Sequence, residues 1–213
     1  FRRPELDGKR ADGPDSGTWV LDDSGAPVVQ GPASFPISIA IPSGVAPEQG
    51  FPVAIFGHGL GAGRHQMLAF IETFARAGYV TVAIDADGFG SRFSNKDERN
   101  DVARILGAGY GGTLVGPDGF GDVDGPVTSY ALFHDFVNIS AMRDQMRQSV
   151  IDLSQVVRAL RDPALDLSPL VEGARVNGER IAYLGESYGG VLGGTLAAVE
   201  PDIALFVLDV PGG

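Results

Sequence analysis

Between an apolar run and a stretch of small residues the chain carries Gly185-Glu186-Ser187-Tyr188-Gly189-Gly190. Arg180–Gly185 has the alternation and β-branching of a short buried strand, and Val191–Ala198 continues as a tightly packed helix of small and aliphatic residues. Ser187 therefore falls on the turn between them, as in a nucleophile elbow. In a Gly-x-Ser-x-Gly turn the serine backbone is strained, which lifts its hydroxyl clear of the sheet. Glycines two residues to either side let strand and helix pass without a Cβ collision. Gly185 and Gly189 occupy those places. The next N–H, that of Tyr188, lies at a helix N-terminus, where the dipole favours a developing negative charge. Glu186 reads as a packing or pocket-tuning residue. The same pattern also fits a strand-to-helix turn with no chemistry, so the rest of the chain decides.

A length of 213 residues with 44% hydrophobic content suits one domain with a sizeable core. The net charge of −11 opposes phosphate backbones and anionic headgroups, so no nucleic-acid partner is expected. Without cysteine there is neither a disulfide framework nor a thiolate metal site. Neither a metal nor a cofactor is called for. The start at Phe1, and the stop at Val210-Pro-Gly-Gly213 directly after a strand-like run, read as marks of a processed or trimmed product.

Along the chain, residues 1–16 read as an arm, and Asp22–Gly25 reads as a reversal between Thr18–Leu21 and Val28-Val29 in an opening hairpin. Strands follow at Phe35–Ile41, Phe51–Phe56 and Tyr79–Ile84. A helix from Arg64 to Ala77 separates the last two, with Met67, Phe70, Ile71 and Phe74 on one face. Strand, helix and strand at this spacing make a parallel crossover. Residues 91–140 break the pattern and read as a cap or lid insertion over the carboxyl edge of the sheet. Tyr110, Phe120, Tyr130, Phe133 and Phe136 within it suit an apolar acyl-binding lid. A long helix, Ser140 to Arg161, places Met146, Val150, Leu153, Val157 and Leu160 inward; the elbow strand, its helix and a strand at Ile203–Leu208 complete the order. The fold class is α/β: a doubly wound, mostly parallel sheet.

The second motif is Gly57-His58-Gly59-Leu60-Gly61, at the end of a strand. An oxyanion hole needs a second backbone N–H opposite the elbow, from the loop after an earlier strand; Leu60 N–H is the candidate. These two motifs, with the strand, helix and strand between them, resemble the α/β-hydrolase superfamily over about residues 35–213. More narrowly, Phe56–Gly61, the Met142–Ser149 helix and the closing Val210-Pro-Gly-Gly213 resemble bacterial extracellular lipases and esterases of the surface-exposed lipoprotein lipase type. The resemblance implies a serine ester hydrolase acting on a small-molecule or lipid ester. Ser187 would attack the acyl carbonyl, Leu60 and Tyr188 N–H groups would hold the oxyanion, and His58 would serve structurally. It also implies an extracellular or cell-surface location, which no residue here specifies.

In that superfamily the acid and the histidine follow the elbow. Here the three histidines, His58, His65 and His134, all precede it. His65 starts a helix and should face solvent. His134, beside Asp135 in the insertion, serves as base only if the cap folds onto Ser187. Asp209, at the end of the strand after the elbow helix, is the acid on offer, although an aspartate there more often caps a loop. The simpler expectation is a partial α/β-hydrolase domain spanning 1–213, its histidine supplied by a missing or separate C-terminal segment. Asp85, Asp87 and Arg92 read as either a solvated loop or substrate contacts.

Two further patterns fall short. Gly107-Ala-Gly109-Tyr-Gly-Gly112 satisfies G-x-G-x-x-G without the required strand and helix, and Asp118, Asp122 and Asp124 lack a ligand where Phe120 stands. Peptidase, thioesterase and acyltransferase chemistry stay open on this scaffold, as does a non-catalytic binding module or an inactive fragment.

Overall fold

The computed structural model describes residues 18–92 and 139–212. Contacts divide the chain into two compact units, one of residues 1–36, 61–63 and 85–151, the other of 37–60, 64–84 and 152–213. The stretch expected as a cap, with His134, Asp135, the G-x-G-x-x-G run and Asp118, Asp122 and Asp124, lies outside the described residues but for 91, 92, 139 and 140.

The second unit holds the sheet. Its strands are β1 (Ile37–Ala40), β2 (Phe51–Gly57), β3 (Val80–Ile84), β4 (Val176–Glu186) and β5 (Leu205–Asp209), in the order β1-β3-β2-β4-β5. β1 runs antiparallel to β3 and the remaining pairs are parallel. This is the fold class expected from the sequence, a mostly parallel α/β sheet. Continuous apolar runs make β2 and β3 buried at every position, as strands covered on both faces must be. From β2 the chain winds outward to β3, then returns past β2 to β4 and on to β5, so the winding reverses between β2 and β4. Right-handed crossovers then send successive helices to opposite faces, and ligands in such sheets bind beyond the strand ends at the reversal. Gly57 and Gly185 pair there, so the two glycine motifs leave the sheet side by side.

Among the described residues the α-helices are α1 (Ile71–Arg76), α2 (Ile139–Arg161) and α3 (Tyr188–Val199). Among the described residues no helix is long and apolar enough to cross a membrane. The single helix expected over 64–77 is instead a 3-10 segment, Arg64–Ala69, followed by α1. Arg64, Met67 and Phe70 recur every three residues, the 3-10 period. Met67 joins Phe56 and Ala83 in a core cluster with Phe70 and Ile71 against it. In α2, Val150, Leu153, Val157 and Leu160 are buried as expected, and Met146 only partly.

β4 starts four residues earlier than its apolar run, because its polar first half is held from outside. Arg161 donates to the Gly178 carbonyl at 3.1 Å and pairs with Glu179 and Asp202. A Cβ on Gly178 would stand 2.7 Å from the Leu160 carbonyl oxygen, so only glycine lets β4 pass there. β5, like β1, is an edge strand among the described residues, and Leu205, Val207 and Leu208 are exposed along it, with Val210 just beyond.

In the first unit the expected hairpin reduces to one bridge, Leu21 to Pro27, closed around the Asp22 carboxylate, which accepts from the Ser24 and Ala26 N–H groups. Asp144 is buried and gathers the Trp19 N–H at 3.0 Å, two donors of Arg143 at 2.8 and 3.1 Å, and Arg147 at 3.3 Å. Burial alone would raise its carboxyl. The Arg143 hydrogen bond, the Trp19 N–H and the charges of Arg143 and Arg147 outweigh it and hold the group below its ordinary value of 3.8. A carboxylate depressed in the folded state adds stability that is full above 3.8 and is lost as pH falls through the lower folded value. Asp144→Asn is expected to cost about 2 kcal/mol near neutrality, as for hydrogen bonds to a charged group. In urea melts recorded at a series of pH values it should also flatten the acid limb; an unchanged acid limb would contradict this.

Asp85, Asp87 and Arg92 are not a solvated loop. Asp85 is buried, Arg92 donates to its carbonyl at 3.0 Å and approaches the Asp87 carboxylate at 3.6 Å, and the Arg92 guanidinium lies 4.6 Å from the Phe35 ring centroid. The Ser149 hydroxyl and the Gln145 amide complete the fixation of the Asp87 backbone.

Candidate active site

Ser187 sits between β4 and α3 with φ 52° and ψ −109°, a region that residues with a Cβ rarely adopt. α3 begins at the very next residue, three residues before the apolar pattern signalled, because the turn itself supplies its first positions. The strain is held from several sides. The Ser187 N–H donates to the Asp209 carbonyl at 2.8 Å, and Val191 N–H donates back to the Ser187 carbonyl at 3.0 Å. Val210, directly after Asp209, is the other non-glycine residue of positive φ among those described, so two strained residues flank one hydrogen bond.

The glycines answer to contact. A Cβ on Gly185 would stand 2.3 Å from the Gly189 carbonyl oxygen, and one on Gly189 2.1 Å from the Gly57 carbonyl oxygen. A Cβ on Gly57 would meet the Tyr183 hydroxyl. The start of the loop motif and the end of the elbow motif are therefore packed backbone to backbone. Tyr183 locks them: its hydroxyl donates to the Gly189 carbonyl at 2.8 Å from a fully buried site. Burial, and after it the Tyr188 phenol, push the Tyr183 hydroxyl well above its ordinary value, so it stays protonated and remains a donor. Tyr183→Phe leaves the Gly189 carbonyl short of a partner and should cost about 1–3 kcal/mol in chemical denaturation; a change of a few tenths would contradict this lock.

In the facing loop His58 is buried, and its Nδ1 lies 2.9 Å from the Gly59 carbonyl, an oxygen that only accepts, so the ring donates and braces the loop. Gly59 N–H is committed to the Gln66 side-chain oxygen at 2.8 Å. Leu60 N–H, the next in line, has no hydrogen-bond partner among the described residues, and Leu60 itself is exposed at the turn. Ser187 is half-exposed and Tyr188 is buried. Glu186 accepts a short hydrogen bond from the Gln66 amide nitrogen.

The second unit thus brings together Ser187, Tyr188, Glu186, Gly185, Gly189, Gly57, His58, Gly59 and Leu60. Asp209 joins through its backbone carbonyl, and its side chain is exposed. His65 is exposed. Gln66 joins them without a signal in the sequence: it lies among helix-forming residues, and its partners are 7 and 120 positions away, so no local pattern marks it. Among the described residues no group of three or more His, Asp or Glu side chains is placed to hold a metal ion.

No family model and no curated protein matches the chain. Solved structures do resemble it. A candidate dienelactone hydrolase of Klebsiella pneumoniae subsp. pneumoniae is 16% identical over 82% of this chain and 53% of its own, with a TM-score of 0.44. A ferulic acid esterase of Streptomyces cinnamoneus is 19% identical over 72% and 34%, at 0.45. A glucuronoyl esterase of carbohydrate esterase family 15 from Caldicellulosiruptor kristjansonii is 16% identical over 81% and 36%, at 0.42. The chain spans about a third to a half of the length of these proteins.

Proposed function

We propose that the chain carries the nucleophile portion of a serine ester hydrolase, a carboxylesterase or lipase of the bacterial extracellular, surface-exposed lipoprotein lipase kind. The observation that carries this reading is Ser187 itself, held in a strained turn at the winding reversal of the sheet beside a loop whose Leu60 N–H is uncommitted. Strain at a serine is retained where function uses it. In the proposed reaction the Ser187 oxygen bonds to the acyl carbon while its proton passes to a histidine. The carbonyl oxygen takes the negative charge and receives the Leu60 and Tyr188 N–H groups. The alcohol leaves with that proton, and water then cleaves the acyl-enzyme by the same steps in reverse order.

The histidine is assigned to a C-terminal segment of the same protein, continuous or as a separate chain, seated beside β5, where Leu205 and Val207 are exposed. The 1–213 chain is then one partial hydrolase domain with 91–140 as its cap. Asp209 and His134 are the acid and base to test if no such segment takes part. A non-catalytic binding module is the second reading, favoured by the lack of any histidine after Ser187.

Hydrolysis of 4-nitrophenyl butyrate by the protein with any further C-terminal segment in place separates the two. An ester hydrolase turns the ester over above the rate of buffer, with a burst of nitrophenol stoichiometric with Ser187 where deacylation is the slower step; a binding module gives the rate of buffer alone.

A further inference from the structure

Gln66 stands on the 3-10 segment after the glycine loop, and its side-chain amide spans from that loop to the elbow. Its oxygen takes the Gly59 N–H at 2.8 Å and its nitrogen gives a short hydrogen bond to the Glu186 carboxylate, one residue before Ser187. Both polarities are forced. A backbone N–H only donates and an ionised carboxylate only accepts, so the bridging group must offer one acceptor and one donor, as a primary amide does. A Cβ on Gly59 would lie 3.2 Å from the Glu186 carboxylate, which puts loop and elbow in near contact at this point.

We propose that Gln66 is a positioning residue that fixes the oxyanion loop against the elbow. By occupying Gly59 N–H it leaves Leu60 N–H as the loop's donor, and by holding Glu186 it sets that donor relative to Ser187. The inference rests on the hydrolase reading for its use and on the hydrogen bonds alone for its existence. Donor placement matters steeply, since a displacement of about 1 Å costs up to about a hundredfold in rate.

The test is a polarity swap. Gln66→Glu keeps the acceptor for Gly59 N–H but sets a second carboxylate against Glu186; adding Glu186→Gln moves the amide to the other side and restores one donor and one acceptor. In the full chain, Gln66→Glu should lower kcat on 4-nitrophenyl butyrate by about tenfold to a hundredfold with KM little changed, the pattern of an interaction made in the transition state. The double variant should recover most of the loss. Amide hydrogen exchange at Gly59 is the readout independent of catalysis. It should quicken at least about tenfold in Gln66→Leu, where no acceptor remains, and not in the swapped pair. A double variant no better than Gln66→Glu, or Gly59 exchange unmoved in Gln66→Leu, overturns the proposal. A wild-type protein that has its C-terminal segment in place and shows no ester hydrolysis overturns the function the strap serves, while the exchange result still decides whether it exists.

Discussion

Gly189→Ala is expected to lower stability by at least about 3 kcal/mol, the upper end for forcing extra atoms into a packed interior. The reason is the identity of the neighbour. The added Cβ would stand 2.1 Å from the Gly57 carbonyl oxygen and 2.9 Å from its Cα, and backbone at the end of a buried strand has no rotamer to give way. Relief requires α3 to move off β2, which also takes the Gly189 carbonyl away from the Tyr183 hydroxyl. Gly194, five residues on in the same helix, is the internal control: nothing lies within 4 Å of its Cβ position and it is exposed. Gly194→Ala should gain up to about 1 kcal/mol from helix propensity alone. Urea denaturation of the two variants beside wild type reads both signs at once. A Gly189→Ala protein within about 1 kcal/mol of wild type would mean that elbow and loop are not in the contact described, since packed sites do not accept such an overlap.

Ser187 carries the second large effect, and its two substitutions pull apart function and strain. Ser187→Ala removes the nucleophile and should reduce ester hydrolysis on the order of 10⁶-fold, the scale found when the serine of an acyl-transfer triad is deleted. Its stability should hardly change, because alanine has the same objection to φ 52° as serine. Ser187→Gly should be equally inactive but more stable by about 1–3 kcal/mol, the energy stored when a residue with a Cβ is held in a sparsely populated backbone region. Calorimetry or urea melts on the pair, with rates measured on the same preparations, check this. Equal stability of the alanine and glycine variants would remove the strain argument; retained hydrolysis in either would remove Ser187 from the reaction.

The parts of the fold that were legible in the sequence are those governed by local pattern. Continuous apolar runs marked β2 and β3, the period of α2 marked its buried Val150, Leu153, Val157 and Leu160, and the Gly-x-Ser-x-Gly spacing marked the turn at Ser187. Features held by distant partners were not legible. The polar first half of β4 is a strand because Arg161 and the Leu160 carbonyl meet Gly178, and nothing in Val176–Arg180 announces that. The 64–77 segment shows an apolar face that suits an unbroken helix, and only its three-residue repeat, Arg64, Met67 and Phe70, hints at the 3-10 turn found. At the site, the glycines and the serine could be read because their roles are steric and local. Gln66 could not, since its role is to match a donor and an acceptor brought together by the topology. Asp209 offers a carboxylate that the sequence shows, and it also holds the Ser187 N–H through its carbonyl, a contact that any residue there would supply and no side chain announces.

Whether Ser187 is an activated nucleophile is read by fluorophosphonate labelling of the protein in native extract, where any further segment or partner chain is present. Digestion after arginine releases the peptide beginning at Ile181, which contains Ser187. The phosphonyl adduct is expected on Ser187, abolished by heating before labelling and absent from Ser187→Ala. An unmodified Ile181 peptide, in an extract whose other serine hydrolases label normally, would contradict it.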